Sequence, residues 1–560
     1  MKIIFKNCKI YDGTGAEPFH GVVVTEGERI TYVGPEVAPA AAERSEAALS
    51  AELAAVASAA KDSAAAADSA ADAQVIDLGG KSIAPGFIDI HSHNDWFAIK
   101  NDKMKYFEPF IRQGITTFVG GNCGISAFGF DRGTAHMDAI GGGLFNFDNA
   151  GSYATFGEFR DALDGNVPCN MAALVGHCTA RGSASGNANR PLTEEEEQEM
   201  LGLLEKALQE GAAGISLGLM YEPGLYADVN ELKKVAALCL KYDKILTVHP
   251  RAESKVSLAY PELLGRSHLL RAFDELREIS KGTNLKLQYS HAIFVGRHSF
   301  GAKQELLEIM DAMRKEGVDV KFDIYNETLG VSVITVVLPG WFQNLSEKEK
   351  HSFFNRLKLR VLCTASSALL GFGFDDIVVA YLGEGLEEFE GKSVHAIAKE
   401  LGKSDFDTYL MLCEKSNFKG RVNMGPYSTR EVISEFEKNP NCLYMTDAWV
   451  EDHGVQNPAI YDCFPKFLQD ALNGTGDTLP ATIHRMTGAS AARYMLKDRG
   501  LLKVGCFADL TVFDEEELKT ATPDQTKSFG IDQVYVNGKL VFGDGEIQTG
   551  ACGCGHVISV

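Results

Sequence analysis

The 560-residue sequence predicts an α/β protein: a (β/α)8 barrel, a small β-sandwich built from both termini, and an insertion before strand eight. Three observations predict it. Strand-and-turn patterns cluster at the two chain ends, strand patterns alternate with helical ones through the middle, and metal-binding side chain types recur where those middle strands end.

Composition sets the frame. Apolar residues at 45% and charged residues at 23% are ordinary for a soluble globular chain. A net charge of −22 opposes a nucleic-acid partner and an anionic membrane surface. The start, Met1-Lys-Ile-Ile-Phe-Lys-Asn-Cys-Lys9, alternates and carries lysines, which marks a strand rather than a signal peptide. No apolar run reaches the roughly 20 residues of a membrane span. Twelve cysteines without framework spacing point to reduced thiols and a cytoplasmic protein.

Taken in order, residues 1–83 with 499–551 form the expected β-sandwich domain. Its strands include Lys2–Tyr11, Gly21–Thr25 and Ile30–Val33 at one end, and Ala508–Phe513, Ile531–Gly538 and Leu540–Phe542 at the other. The Ala-rich run 37–73 has few large apolar residues with which to dock, so it reads as an exposed insertion. The barrel is expected over 84–326 and 441–498. Its strands are Ile83–His91, Gly114–Gly120, Met171–His177, Ala213–Gly218, Ile245–His249, Leu285–His291, Val318–Ile324 and Cys442–Asp447. Helical patterns fall at 193–210, 228–242, 266–280, 301–316 and 479–496, and Thr193 with Glu196 predicts a capping box. Between strands seven and eight, about 115 residues exceed any ordinary loop. Residues 327–440 are therefore expected to form a mainly helical insertion that acts as a lid or a substrate wall.

In such a barrel the chemistry lies at the C-terminal strand ends. Strand one ends in His91-Ser92-His93, whose imidazoles leave the same side because residues two apart share a face. Strand two leads into Gly121-Asn-Cys123, strand five ends in His249, strand six in His291 and strand eight in Asp447. Imidazole, thiolate and carboxylate together suit zinc, whereas magnesium or calcium would take oxygen alone. Zinc lowers the pKa of bound water from about 15.7 toward roughly 7, and Asp447 is placed to act as general base and acid. His177 is expected to orient its neighbours, and Cys552-x-Cys554-x-His556 offers too few ligands for a closed site.

These residues carry a resemblance to the amidohydrolase superfamily, in its N-acyl-D-amino-acid deacylase (D-aminoacylase) branch. It runs nearly end to end: Pro85–His93, Gly121–Ser126, Val175–His177 with Arg181, Gly218–Gly224, His249–Glu253, Tyr289–His291, Thr446-Asp447 and Lys503–Leu510. The resemblance implies one tightly held zinc ion on Cys123, His249 and His291, and a second position at His91, His93 and Asp447. It also implies Tyr221 beside the substrate, and Tyr325 and Arg251 are further substrate-binding candidates. Strand four has no lysine to bridge two metals, and Cys123 resembles the cysteine that replaces it in this branch. Three departures stand out. Ala459 occupies the position of an arginine that grips the substrate carboxylate, Ala292-Ile293 replaces a His-Lys pair, and Ile324-Tyr325-Asn326 replaces Tyr-Pro-Tyr. Arg251, Arg297, His298 and His453 are the candidates for another grip.

The expected function is zinc-dependent hydrolysis of a linear amide by metal-bound hydroxide, as in an N-acyl-amino-acid deacylase. Cyclic-amide hydrolysis of the lactam or hydantoin type and deamination use the same metal chemistry and stay open, and a non-catalytic scaffold is the remote alternative. The partner is a small-molecule amide; nucleic acid and membrane are not expected, and homo-oligomerisation is open.

Overall fold

The computed structural model describes residues 1–35, 73–130, 153–186, 188–257, 260, 265–343, 345–524 and 526–560. The Ala-rich run 37–73, apart from Ala73, lies outside them. No helix among the described residues is long and apolar enough to cross a membrane.

The N-terminal strands are β1 (Lys2–Ile10), β2 (Phe19–Glu26), β3 (Arg29–Pro35), β4 (Ala73–Asp77) and β5 (Ser82–Pro85). The barrel strands follow as β6 (Phe87–Asp89), β7 (Ile115–Gly120), β8 (Asn170–Gly176), β9 (Gly214–Gly218), β10 (Ile245–His249), β11 (Lys286–Tyr289) and β12 (Asp319–Ile324). Next come β13 (Gly330–Val333), β14 (Ile377–Tyr381) and β15 (Arg421–Met424) of the insertion, and then β16 (Cys442–Tyr444). The chain ends through β17 (Leu510–Phe513), β18 (Ile531–Val536), β19 (Lys539–Gly543) and β20 (Glu546–Ile547).

The terminal strands join in one nine-stranded sheet that forks at β1. Residues 2–6 of β1 pair with β4, while Lys9 and Ile10 pair with β5. The fork lets the sheet enclose its own core of Ile3, Phe5, Ile10, Val23, Ile30, Ile83, Leu510 and Val512. The strand expected over Ile83–His91 is in fact two. Pro85 has no N–H to continue a ladder, and Gly86 donates its N–H to Asp509 O at 2.7 Å. Ser82–Pro85 therefore stays in the terminal sheet, and the barrel begins at Phe87.

Eight parallel strands follow in the order β16-β12-β11-β10-β9-β8-β7-β6. β7, β8, β9 and β10 are buried at every residue, as a sheet covered on both faces requires. The seam between β6 and β16 is closed by a side chain. Asp89 accepts the Thr446 N–H at 3.0 Å and the Thr446 hydroxyl at 2.6 Å, and Asp447 N–H bonds His91 O at 3.1 Å. This stitch brings the first and last donor-bearing strand ends side by side.

The helices Glu194–Gln209, Val229–Lys241, His268–Ser280 and Lys303–Lys315 lie where the periodicity predicts, and the Thr193/Glu196 capping box is formed. The pattern over 479–496 divides into Leu479–Met486 and Gly488–Arg493. A further helix, Ala459–Leu472, was not among the expected ones and contains Pro465. The insertion is mainly helical, including Phe353–Leu370 and Asp405–Lys415, but it also holds an antiparallel sheet in the order β13-β15-β14 that its sequence did not reveal. Its turn after β15 docks on the barrel mouth: Phe294 N–H bonds Tyr427 O at 2.7 Å, and Tyr427 N–H bonds Thr328 O at 2.8 Å. The tail beyond residue 551 runs beside β8, where Met171 N–H bonds His556 O and Ile558 N–H bonds Met171 O. The His556 imidazole meets Asp164 and Glu28.

Candidate metal centre

The six predicted donors converge in two groups that share one atom. His91, His93, Cys123 and Asp447 form one, and Cys123, His249 and His291 the other; within each group the donor atoms lie within 4.8 Å of one another. Cys123 Sγ is 3.3 Å from His91 Nε2, 3.7 Å from His249 Nδ1 and 3.6 Å from His291 Nε2. Asp447 Oδ1 stands 3.4 Å from His91 Nε2 and 3.5 Å from His93 Nε2. Zinc bonds of about 2.3 Å to sulfur and about 2.0 Å to nitrogen set tetrahedral S···N edges near ~3.5 Å, so the spacing around the thiol fits an ion. His249 Nδ1 and His291 Nε2 approach more closely, at 2.7 Å.

Local backbone aims these side chains. Cys123, His291 and Asp447 all have positive φ, at 53°, 33° and 47°. Left-handed backbone at non-glycine residues is strained and clusters at functional sites. At Cys123 the turn depends on its neighbours. A Cβ on Gly121 would meet Leu174 O at 2.0 Å, and one on Gly124 would meet Gly218 N at 2.6 Å. Ser216 of β9 braces the same turn, donating to Gly121 O at 2.5 Å and accepting from Gly124 N–H at 3.0 Å.

The electrostatics call for a cation. Burial alone would push the Cys123 thiol up, but His91 and the hydrogen-bonding imidazoles of His249 and His291 outweigh it and hold it well below its ordinary range. Burial would likewise raise Asp447, yet His91 and His93 pull its carboxyl down to about 2. Burial depresses His91 and His93, but Cys123 and Asp447 more than reverse this and lift them to about 10 and about 9. Two buried acids lie behind the donors. Glu253 Oε1 is 2.7 Å from His291 Nδ1, while Asp323 accepts His291 N–H at 2.6 Å and stands 3.7 Å from His91 Nδ1. Imidazoles held protonated among buried anions mark a place where a divalent ion can replace protons, and the N/S/O donor set suits zinc.

Tyr221 reaches this centre, and Tyr325 lies near enough for the Asp447 charge to act on it. The Tyr221 hydroxyl is 3.3 Å from His249 Nδ1, with the rings 4.6 Å apart. Tyr325 is buried, and its hydroxyl is raised by burial first and by Asp447 next. Sequence reasoning missed Tyr427, which the insertion delivers. A Cβ on Gly330 would lie 2.8 Å from the Tyr427 ring and 3.2 Å from the Tyr325 hydroxyl, so both tyrosines pack over the start of β13. It also missed Trp449, 5.4 Å edge-on to His93. Glu253 and Asp323 had a signal: each is an acid set among apolar or donor residues, in His249-Pro-Arg-Ala-Glu253 and Val320-Lys-Phe-Asp-Ile324.

The expected basic grips are engaged elsewhere. Arg251 forms a fork with Glu275 at 2.9 and 3.1 Å and donates to Leu225 O at 2.5 Å and Ala227 O at 2.9 Å. It therefore clamps the loop that carries Tyr221 and is no free substrate ligand. Arg181 holds the other side, donating to Pro223 O at 2.9 Å while it and His177 bond the buried Glu231. Arg297 pairs with Asp376, His298 faces Leu369 O, and His453 stacks on Tyr381. Ala459 is fully buried, with its carbonyl accepting from Gln113. Arg251→Ala is expected to lower stability by about 3 kcal/mol, because Glu275 loses its buried partner. Its activity falls with metal content unchanged, and Lys, lacking the fork, restores neither; urea unfolding, metal analysis and kcat check this.

Known proteins match this architecture. The amidohydrolase family pattern covers residues 74–325 and 471–542, more than half of the chain. The D-aminoacylase of Alcaligenes xylosoxydans xylosoxydans is 28% identical over 475 residues, 83% of this chain and 85% of the relative. The N-acyl-D-aspartate deacylase of the same organism is 29% identical over 496 residues, 87% and 86% of the two chains. Crystal structures of D-aminoacylase, one of them concerned with its binuclear metal centre, align with a TM-score of 0.72 and 26% identity over 99% of both chains. The chain belongs to the amidohydrolase family, in its D-aminoacylase-like branch.

Proposed function

We propose that the protein is a metal-dependent hydrolase that deacylates N-acyl amino acids or closely related linear amides, with zinc as its metal. The observation that carries this reading is the thiol of Cys123 shared between two donor groups, one of which includes the carboxylate of Asp447. Relatives that are D-aminoacylase and N-acyl-D-aspartate deacylase support the linear-amide class. Cys123, His249 and His291 would hold one ion, and His91, His93 and Asp447, with the shared thiol, a second. When bound, zinc supplies Lewis acidity toward the scissile carbonyl and acidifies water at the centre.

The chain's own residues do the rest. Asp447, held at about 2, is ionised at neutral pH and accepts a proton from the attacking water on a carboxylate oxygen. It then delivers that proton to the leaving nitrogen. Tyr221 presents its hydroxyl beside His249, where it can donate to the substrate carbonyl oxygen. Tyr325, Tyr427 and Trp449 wall the space over the donors, so this side of the site is aromatic.

A panel of N-acyl-D- and N-acyl-L-amino acids, acylated amines, lactams and hydantoins, assayed with zinc-loaded protein, tests the reading. The linear N-acyl compounds are expected to turn over with kcat/KM at least tenfold above any cyclic amide. Ring opening without acyl release would overturn it in favour of the cyclic-amide reading.

A further inference from the structure

Two of the three imidazoles that face Cys123, those of His249 and His291, do so through different nitrogens. His249 presents Nδ1 to Sγ at 3.7 Å, and His291 presents Nε2 at 3.6 Å. Their opposite nitrogens turn toward one carboxylate. Glu253 Oε1 lies 2.7 Å from His291 Nδ1, and Glu253 Oε2 lies 3.8 Å from His249 Nε2. His249 Nε2, His291 Nδ1 and Glu253 Oε1 are all buried without a formed hydrogen bond among the described residues, which leaves this carboxylate as the group nearest both nitrogens. Glu253 is only 3% exposed. Its own carbonyl accepts Val295 N–H at 2.9 Å, which ties the loop after β10 to the loop after β11. Backbone and side chain of this one residue thus join the two histidine-bearing strand ends.

A neutral imidazole offers a lone pair at one nitrogen and keeps its proton on the other. Binding through His249 Nδ1 requires the proton on Nε2, and binding through His291 Nε2 requires it on Nδ1. A carboxylate beside the protonated nitrogen fixes the tautomer and ring orientation and strengthens the ligand. We propose that Glu253 is the positioning residue for the Cys123–His249–His291 metal position, setting the opposite tautomers of both imidazoles with a single carboxylate. The assignment rests on the reading of those three residues as metal donors. Glu253 touches no reacting atom, and its effect passes through the two rings.

Removing the charge while keeping the shape isolates the effect. Metal-free wild type, Glu253→Gln and Glu253→Asp are titrated with zinc against a competing chelator, and the visible absorption of each cobalt-loaded protein is recorded. Glu253→Gln is expected to bind zinc about 10- to 100-fold more weakly and to shift the cobalt bands, because the amide can accept from His291 without polarising either ring. Glu253→Asp keeps the charge and recovers part of the affinity. A residue that only packs would lower the melting temperature of the metal-free protein and leave both affinity and spectrum alone. Wild-type affinity with an unchanged cobalt spectrum in Glu253→Gln overturns the assignment by itself. If that variant does not fold, the same result in Glu253→Asp overturns it. A wild type that binds neither zinc nor cobalt removes the metal reading, and this assignment with it.

Discussion

Replacing Asp447 with Asn is expected to lower kcat by about 10³-fold or more while leaving the protein loaded with metal. The carboxylate is the proposed proton carrier, and general acid–base groups contribute roughly 10²- to 10⁴-fold. Asparagine has nearly the same shape but cannot take and return a proton. Metal retention follows from the grouping. Cys123, His249 and His291 do not include Asp447, so one position keeps its full donor set. The fold also tolerates the change, because Asp447 is fixed through its backbone N–H to His91 O, while the barrel seam depends on Asp89 and Thr446. Positive φ at 447 is accommodated by asparagine better than by most residues. Steady-state kinetics with metal analysis on the same samples decides the matter. Full activity in the variant would remove Asp447 from the mechanism; loss of metal from both positions would make its role structural.

What could be seen in the sequence followed from locality. A buried parallel strand that ends in a histidine announces itself within a few residues, so the donor-bearing ends of β6, β10 and β11 were legible. The aim of those donors was partly legible too, since Gly121 and Gly124 flank Cys123 and a left-handed turn needs such neighbours. Partners distant in sequence were not legible. Arg251 presents a free-looking charge in the chain, yet its fork is filled by Glu275 on the helix His268–Ser280. The sheet of the insertion joins four- and five-residue strands separated by about forty residues, and no local period signals such pairing. The helix Ala459–Leu472 carries an internal proline, Pro465, where a helix normally breaks. Here it continues through the proline, with Phe464 and Phe467 buried against Phe87 and Tyr444.

The shared thiol makes Cys123→Ser the most damaging single change at the centre. The substitution nearly keeps the side-chain shape and exchanges the thiol for a hydroxyl, but a serine hydroxyl is not ionised near neutrality and is a poor zinc ligand beside a thiolate. One group would retain His91, His93 and Asp447, whereas the other would retain only His249 and His291. The two-nitrogen remnant is too small to hold an ion tightly, so zinc affinity at that position is expected to fall at least 100-fold. Turnover falls with it at limiting zinc. The metal-free variant keeps its turn, which Ser216 and the glycine neighbours hold, but loses the buried thiol that faces three imidazoles and is expected to be less stable than the metal-free wild type. A further difference appears when zinc is added. A 100-fold loss of affinity removes about 2.7 kcal/mol of ligand-linked stabilisation at saturating metal. Melting curves with and without zinc would then separate by clearly less for the variant than for the wild type. Equal zinc-induced shifts in the two proteins would mean that the thiol is not a ligand, and the pairing of both metal positions through one sulfur would fall.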